Sequence, residues 1–244
     1  MVTVTATPAM TGSPVAATKT EPTFKRGRHL ALAIIGLAHA PLTRATGPVV
    51  LSTMGTWGAA ASTVNRLIHL CFAAFVAWLA FAVFHTGAEV YVRPRRWRNL
   101  GLTFALWCVG IELYVAYAVW RRPAESLAIA KHATAFIDSG ELQFGWLVLA
   151  VLIAAAAEEI VYRGLLLPAL EGYVSPNWAL VIQAALFELV HAYVYGYGNL
   201  TGLWFVAGYV LGYAFQRTRS LAVPTLLHAV HNIWLYSLVW YFNP

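Results

Sequence analysis

Apolar stretches of about 20 residues recur through most of this chain. Of its 244 residues, 60% are hydrophobic and 11% are charged, against roughly 25% charged in a soluble domain. A segment of that length and composition crosses a bilayer as an α-helix, because a helix satisfies its own backbone hydrogen bonds. The sequence therefore predicts an all-α fold, a polytopic transmembrane helical bundle.

Polar and proline-containing segments separate these stretches and set the order of the helices. Residues 1–24, rich in Thr, Ala and Pro, are predicted to be a disordered tail. Residues 25–140 are predicted to hold the first transmembrane segments, with a single or double crossing between Leu30 and Ala61, and residues 141–244 the later ones. The clear predicted spans are Leu67–Thr86, Leu100–Trp120, Gln143–Leu170, Trp178–Tyr195, Leu200–Phe215 and Leu221–Phe242.

Basic residues lie beside the apolar stretches, in Lys25–Arg28, in Arg93–Arg98 and at Arg217 and Arg219. Because positive charge marks the cytoplasmic end of a membrane helix, this pattern predicts seven or eight spans, an N-terminus inside the cell and a place in the plasma membrane. Nucleic-acid-binding proteins instead spread basic and aromatic residues over a soluble surface, so no nucleic-acid partner is expected. Both cysteines lie in apolar stretches without CxxC spacing, which argues against a thiolate zinc site.

One predicted span carries charge within an apolar run, Ala154–Arg163, which reads AAAAEEIVYR. Each charge at the bilayer centre costs about 2.5–3.5 kcal/mol, so these charges must be compensated. Glu159 and Arg163 are four residues apart and are predicted to form an ion pair on one helix face. Glu158 is rotated by about 100° from Glu159 and requires partners from other helices.

The later spans supply a small group of ionisable and amide side chains, namely Glu188, His191, His228, His231 and Asn232. Such residues generally face the interior of a membrane bundle and mark a functional site. His228 and Asn232 share a helix face, whereas His231 lies about 60° to the other side of His228. A carboxylate, two imidazoles and an amide can activate water and stabilise an oxyanion. Glu112 is a lone carboxylate in an earlier span, and no partner is predicted for it.

Three motifs in this region resemble those of a known family. Glu158–Arg163 has the pattern EExxxR, Phe187–His191 the pattern FxxxH and His228–Asn232 the pattern HxxxN. Their types and order are similar to those of the CAAX protease and bacteriocin-processing family, the Abi or Rce1-like intramembrane proteases. Gly208-x-x-x-Gly212 and the run Arg219–Pro224 extend the resemblance, which covers roughly residues 140 to 240.

The resemblance implies an endopeptidase without a cofactor, whose catalytic region is residues 141–244. By motif position, Glu158 activates the attacking water together with His191, and His228 with Asn232 stabilises the oxyanion. The substrate class implied is a membrane-embedded or lipidated peptide or protein, and the bilayer is the other partner. Supporting roles fall on Glu159, Arg163 and Phe187, while Glu188 and His231 occupy unspecified motif positions and are candidates for additional site residues.

Two other classes of function fit the same residues. Glu188-x-x-His191 and His228-x-x-His231, together with Glu158 or Glu159, have spacings that ligate zinc or a pair of irons in helical bundles, although the sequence has no HExxH motif. A non-enzymatic membrane scaffold or immunity protein is the second alternative. A transporter is disfavoured, because no inverted repeat is found.

Overall fold

The computed structural model describes residues 26–38, 41–42, 45–46, 49, 52–53, 58–79, 82, 105, 107–121, 141–195 and 202–242. These residues are helical apart from short turns and bends, and no β-strand occurs among them. The predicted all-α class is therefore confirmed for the described part of the chain. The predicted tail, residues 1–24, and the predicted Arg93–Arg98 loop lie outside the described residues.

The described residues of the N-terminal half include three helices. These are α1, Arg26–Leu37; α2, Gly58–Trp78; and α3, Leu113–Arg121, which follows a π-helical segment, Cys108–Glu112, called π1 here. α2 begins at Gly58, nine residues before the start of the predicted span at Leu67. The helix continues through Asn65, a polar residue whose side-chain oxygen accepts a 2.6 Å hydrogen bond from the Thr46 hydroxyl.

A long helical rod carries the two adjacent glutamates. It consists of α4, Glu141–Glu159; a second π-helical segment, Ile160–Leu166, called π2; and α5, Leu167–Glu171. The junction residues, Glu159 and Leu167, keep right-handed helical dihedrals, so the rod is continuous. The sequence predicts a span over Gln143–Leu170 but not the π winding, which widens the turn and is frequent at functional sites.

Three helices complete the fold: α6, Pro176–Tyr195; α7, Leu203–Thr218; and α8, Ala222–Phe242. α7 starts after Gly202, whose φ of 77° is left-handed, and ends at Arg219, also left-handed with φ of 50°. The predicted spans of these helices agree with the structure within three residues at each end. α7 packs against both α6 and α8.

Helix packing brings the later helices around the rod. α2 and α8 pack against α4, α1 packs against π2, and α6 packs along α7. The contact between α6 and α7 is close at Gly208, where an added Cβ would meet the Ala184 Cα at 3.1 Å. The buried core includes Ile111, Tyr162 and Phe187. Side chains from π1, π2 and α6 therefore meet at the centre of the described structure.

By length and hydropathy, one helix in the described ranges is able to cross a membrane, Pro176–Val194, with a mean hydropathy of 1.3. Leu67–Trp78 is apolar but shorter. The count of seven or eight spans therefore stays a prediction.

Candidate active site

The predicted ion pair between Glu159 and Arg163 lies at the centre of the site. The Arg163 Nη1 atom is 2.7 Å from Glu159 Oε1, and both side chains are buried. Nη2 donates a 3.0 Å hydrogen bond to the carbonyl oxygen of Gly208 on α7. The guanidinium also lies over the Phe187 ring, 4.8 Å from its centroid. The charge of Arg163 is thus compensated by contacts on three helical elements.

His228, on α8, is oriented by the same carboxylate. Its Nδ1 atom is 2.8 Å from Glu159 Oε1. Since an ionised carboxylate only accepts hydrogen bonds, Nδ1 carries the proton and donates it. This contact fixes the ring so that the opposite nitrogen, Nε2, faces Glu158 at 3.8 Å from Oε2.

His191, on α6, is oriented by its own helix. Its Nδ1 atom lies 2.8 Å from the Phe187 carbonyl oxygen, which only accepts hydrogen bonds, so this nitrogen also carries a proton. Nε2 then faces Glu158, 3.7 Å from Oε2. Two aromatic rings pack on the imidazole, that of Phe187 at 4.2 Å and that of Trp204 at 5.3 Å between centroids.

Glu158 therefore lies between two imidazoles that each present the same nitrogen. The separations of 3.7 and 3.8 Å are longer than a direct hydrogen bond and suit groups bridged by a water molecule. Glu158 is 15% exposed, whereas Glu159 is 1% exposed. Of the two adjacent glutamates, Glu158 is therefore the more exposed.

Asn232 and Phe187 complete the predicted set. Asn232 is half-buried and follows His228 by one turn of α8. Phe187 is fully buried, and its ring packs edge-on against Tyr162 with 4.9 Å between centroids. The Phe187 ring also contacts both imidazoles, with 4.2 Å to His191 and 6.1 Å to His228 between centroids.

A family model described as type II CAAX prenyl endopeptidase Rce1-like matches residues 140–234. This region is therefore similar to the Rce1-like family. The match confirms the family resemblance of the three motifs and supports a protease function. It covers less than half of the chain, and residues before 140, including Glu112, lie outside it. No curated protein and no solved structure matches the chain.

Glu188 is engaged away from Glu158, His191 and His228. Its two carboxylate oxygens accept hydrogen bonds from the backbone N–H groups of Gly202, at 2.9 Å, and Phe205, at 2.7 Å. These groups lie at the start of α7, where a helix has unsatisfied donors and a partial positive charge. Glu188 therefore caps α7, and the helix in turn carries Trp204 to His191.

His231 is also engaged elsewhere. Its Nδ1 atom lies 3.0 Å from Glu112 Oε1 on π1, and its ring packs edge-on against Trp107. The ligand set of the metal alternative, which requires Glu188 and His231 beside His191 and His228, is thus not brought together. Among the described residues, no group of three or more His, Cys, Asp or Glu side chains is arranged to hold a metal ion.

Two contacts were not predicted from the sequence, that of Trp204 with His191 and that of Glu112 with His231. Trp204 lies on the helix that follows the helix of His191. A tryptophan in an apolar helix is expected to face lipid unless the orientation of that helix is known. Glu112 lies 119 positions before His231, so no helical spacing relates the two. The one available signal was Glu112 itself, an ionisable residue in an apolar segment that required a partner.

Proposed function

We propose that the protein is an intramembrane endopeptidase in which Glu158 activates a water molecule for attack on a peptide bond. The observation that carries the proposal is the approach of two imidazole Nε2 atoms to one carboxylate oxygen, Glu158 Oε2, at 3.7 and 3.8 Å. A water molecule between these groups would be held by hydrogen bonds and deprotonated by the carboxylate as it attacks. The Rce1-like match of residues 140–234 supports the same reaction class.

The proposed oxyanion role of His228 requires a proton on each ring nitrogen. Its Nδ1 already donates to Glu159, so an Nε2 that also donates belongs to an imidazolium ring. Glu158 and Glu159 lie on either side of this ring, and Arg163 pairs with Glu159. The Nε2–H of His228 is then a donor for an oxyanion.

The steps follow from these positions. The water oxygen attacks the carbonyl carbon of the scissile bond, and its proton passes to Glu158, with His191 Nε2 accepting a hydrogen bond from the water. The negative charge that develops on the carbonyl oxygen is stabilised by His228 and by the amide of Asn232. Glu158 then returns the proton to the nitrogen of the leaving amine as the C–N bond breaks. The proposed reaction needs no metal ion.

The distribution of side chains supports a place inside the bilayer. On α8, His228 and His231 are buried, whereas Leu226 and Val230 are 62% and 61% exposed. On α6, Glu188 is buried while Leu189 is half exposed. Helices that bury polar side chains and expose large apolar side chains are suited to contact with lipid. We infer a polytopic bundle of seven or eight spans in the plasma membrane, with the N-terminus inside.

The proposed substrates are membrane-embedded or lipidated peptides and proteins, because a site surrounded by apolar helices is reached from the bilayer. The test is a comparison of protein termini in cells that carry the wild type, Glu158→Ala or Glu171→Ala. Glu171 is a control carboxylate outside the site, paired with Arg219 at 3.0 Å. A set of new termini is expected with the wild type and the control and not with Glu158→Ala.

Identical termini in all three strains would refute the proposal. Retention of the biological effect by Glu158→Gln, which keeps the shape and removes the base, would favour a scaffold. If the purified protein contains a stoichiometric metal, and a chelator removes both the metal and the cleavage, the metal-dependent enzyme would be favoured.

A further inference from the structure

A second pair of a histidine and a carboxylate involves α8, the helix that carries His228. Glu112, on π1, and His231, on α8, are joined by a hydrogen bond of 3.0 Å between Oε1 and Nδ1. The His231 side chain is 7% exposed, and that of Glu112 is 30% exposed. The pair connects a segment outside the Rce1-like match with the helix that carries His228 and Asn232.

His231 has an aromatic contact in addition to its hydrogen bond to Glu112. Trp107 is buried and packs edge-on against the imidazole, with 5.4 Å between centroids and planes at 89°. π1 itself packs on α7, where Gly110 lies beside Val210. The backbone that carries Glu112 is therefore packed against α7, and its carboxylate accepts the hydrogen bond of the histidine.

We propose that Glu112 and His231 are positioning residues that fix the rotation of α8 about its axis, so that His228 and Asn232 face Glu158. The inference rests on the proposed function. Two histidines of α8 are held by carboxylates of different elements, His228 by Glu159 and His231 by Glu112. They lie about 60° apart around the helix, so the two bonds together oppose rotation in either direction.

The geometry gives a sense of the effect. Side-chain tips lie about 5–6 Å from a helix axis, so a rotation of about 20° moves them by about 2 Å. A displacement of about 1 Å at a catalytic group is enough to lower a rate by about 100-fold. Holding the angle of α8 is therefore a function of its own, separate from the chemistry that His228 performs.

The test compares Glu112→Leu, which removes the acceptor, with Glu112→Gln, which keeps one. A peptide substrate found among the termini is used with the purified full-length protein. Glu112→Leu is expected to lower kcat by about 10- to 100-fold with KM within about threefold of the wild type. Glu112→Gln is expected to recover most of the loss. The matched control, Glu171→Leu, removes a carboxylate paired with Arg219 and is expected to leave kcat unchanged.

A readout without substrate separates this proposal from the proposed function. In protein labelled at histidine, the Nδ1–H nuclear magnetic resonance signal of His228 reports its hydrogen bond to Glu159. The signal should change in Glu112→Leu and be kept in Glu112→Gln and Glu171→Leu. If this pattern of signals is found but the wild type cleaves no peptide, the positioning role of Glu112 and His231 is supported and the proposed peptidase function is refuted. An unchanged signal and kcat in Glu112→Leu, or equal changes in Glu171→Leu, would overturn the positioning role.

Discussion

Replacement of Glu159 by glutamine tests the electrostatic role of the buried carboxylate. Glutamine has the same shape, and its side-chain oxygen can still accept from both Arg163 and His228, which lie 2.7 and 2.8 Å from Oε1. The substitution therefore removes the negative charge and leaves the hydrogen-bond geometry. Alanine is less informative, because it leaves Arg163 buried without its carboxylate, which costs about 3–5 kcal/mol of folding stability.

The expected loss follows from the distance between the charges. Two opposite unit charges about 4 Å apart attract by about 4 kcal/mol at an effective dielectric constant of about 20. The amide dipole of glutamine retains part of this attraction for a protonated His228. We expect a loss of about 2–3 kcal/mol in transition-state stabilisation, which corresponds to a fall of roughly 30- to 150-fold in kcat/KM.

The assay is cleavage of a peptide substrate by purified protein, with thermal unfolding measured on the same samples. Glu171→Gln serves as the control, because it removes a carboxylate charge between α5 and the end of α7 rather than in the site. Its activity should stay within about twofold of the wild type. Wild-type activity in Glu159→Gln would refute the claim that His228 acts as a cation balanced by this carboxylate.

Three further predictions concern the surroundings of the site. Glu188→Ala should lower the free energy of unfolding by about 1–3 kcal/mol, because two backbone N–H groups at the start of α7 lose their acceptor. Thermal unfolding measures this loss, and kcat should fall by less than about tenfold. An effect of Glu188→Ala as severe as that of His191→Ala would instead favour the metal-dependent enzyme. Gly212→Ala should destabilise the fold by about 1–3 kcal/mol, because the new Cβ would lie 2.5 Å from Gln183 Oε1, whereas Gly145→Ala, with no atom within 4 Å, should be neutral or stabilising. Equal melting temperatures of the two variants would contradict this packing. Chelators should leave cleavage by the purified protein unchanged, and a loss that zinc restores would contradict the metal-free mechanism.

The local part of the site could be predicted from the sequence. A spacing of four residues relates Glu159 to Arg163, and a helix places such residues on one face whatever the rest of the fold does. The ends of α6, α7 and α8 were also predicted within three residues, because polar or glycine-containing segments bound their apolar runs. Helical periodicity also separated Glu158 from Glu159, which the structure places in different contacts.

Contacts between distant segments could not be predicted in the same way. The partner of Glu112 depends on how π1 packs against α7, and the cap formed by Glu188 depends on where α7 begins. Glutamate and histidine side chains occur both in metal sites and in hydrogen-bonded pairs. Spacing alone therefore did not decide the roles of Glu188 and His231. The π-helical turns have no clear sequence signal, because their residues also favour an ordinary α-helix.

The central claim is that Glu158 is the base that activates water. Its most direct test is the rate of peptide-bond hydrolysis by purified Glu158→Gln, compared with the wild type in the presence of a chelator. The account predicts chelator-resistant cleavage by the wild type and a fall of at least about 1,000-fold in the variant, since glutamine cannot accept the proton of water. Cleavage by Glu158→Gln at a rate near that of the wild type would contradict it.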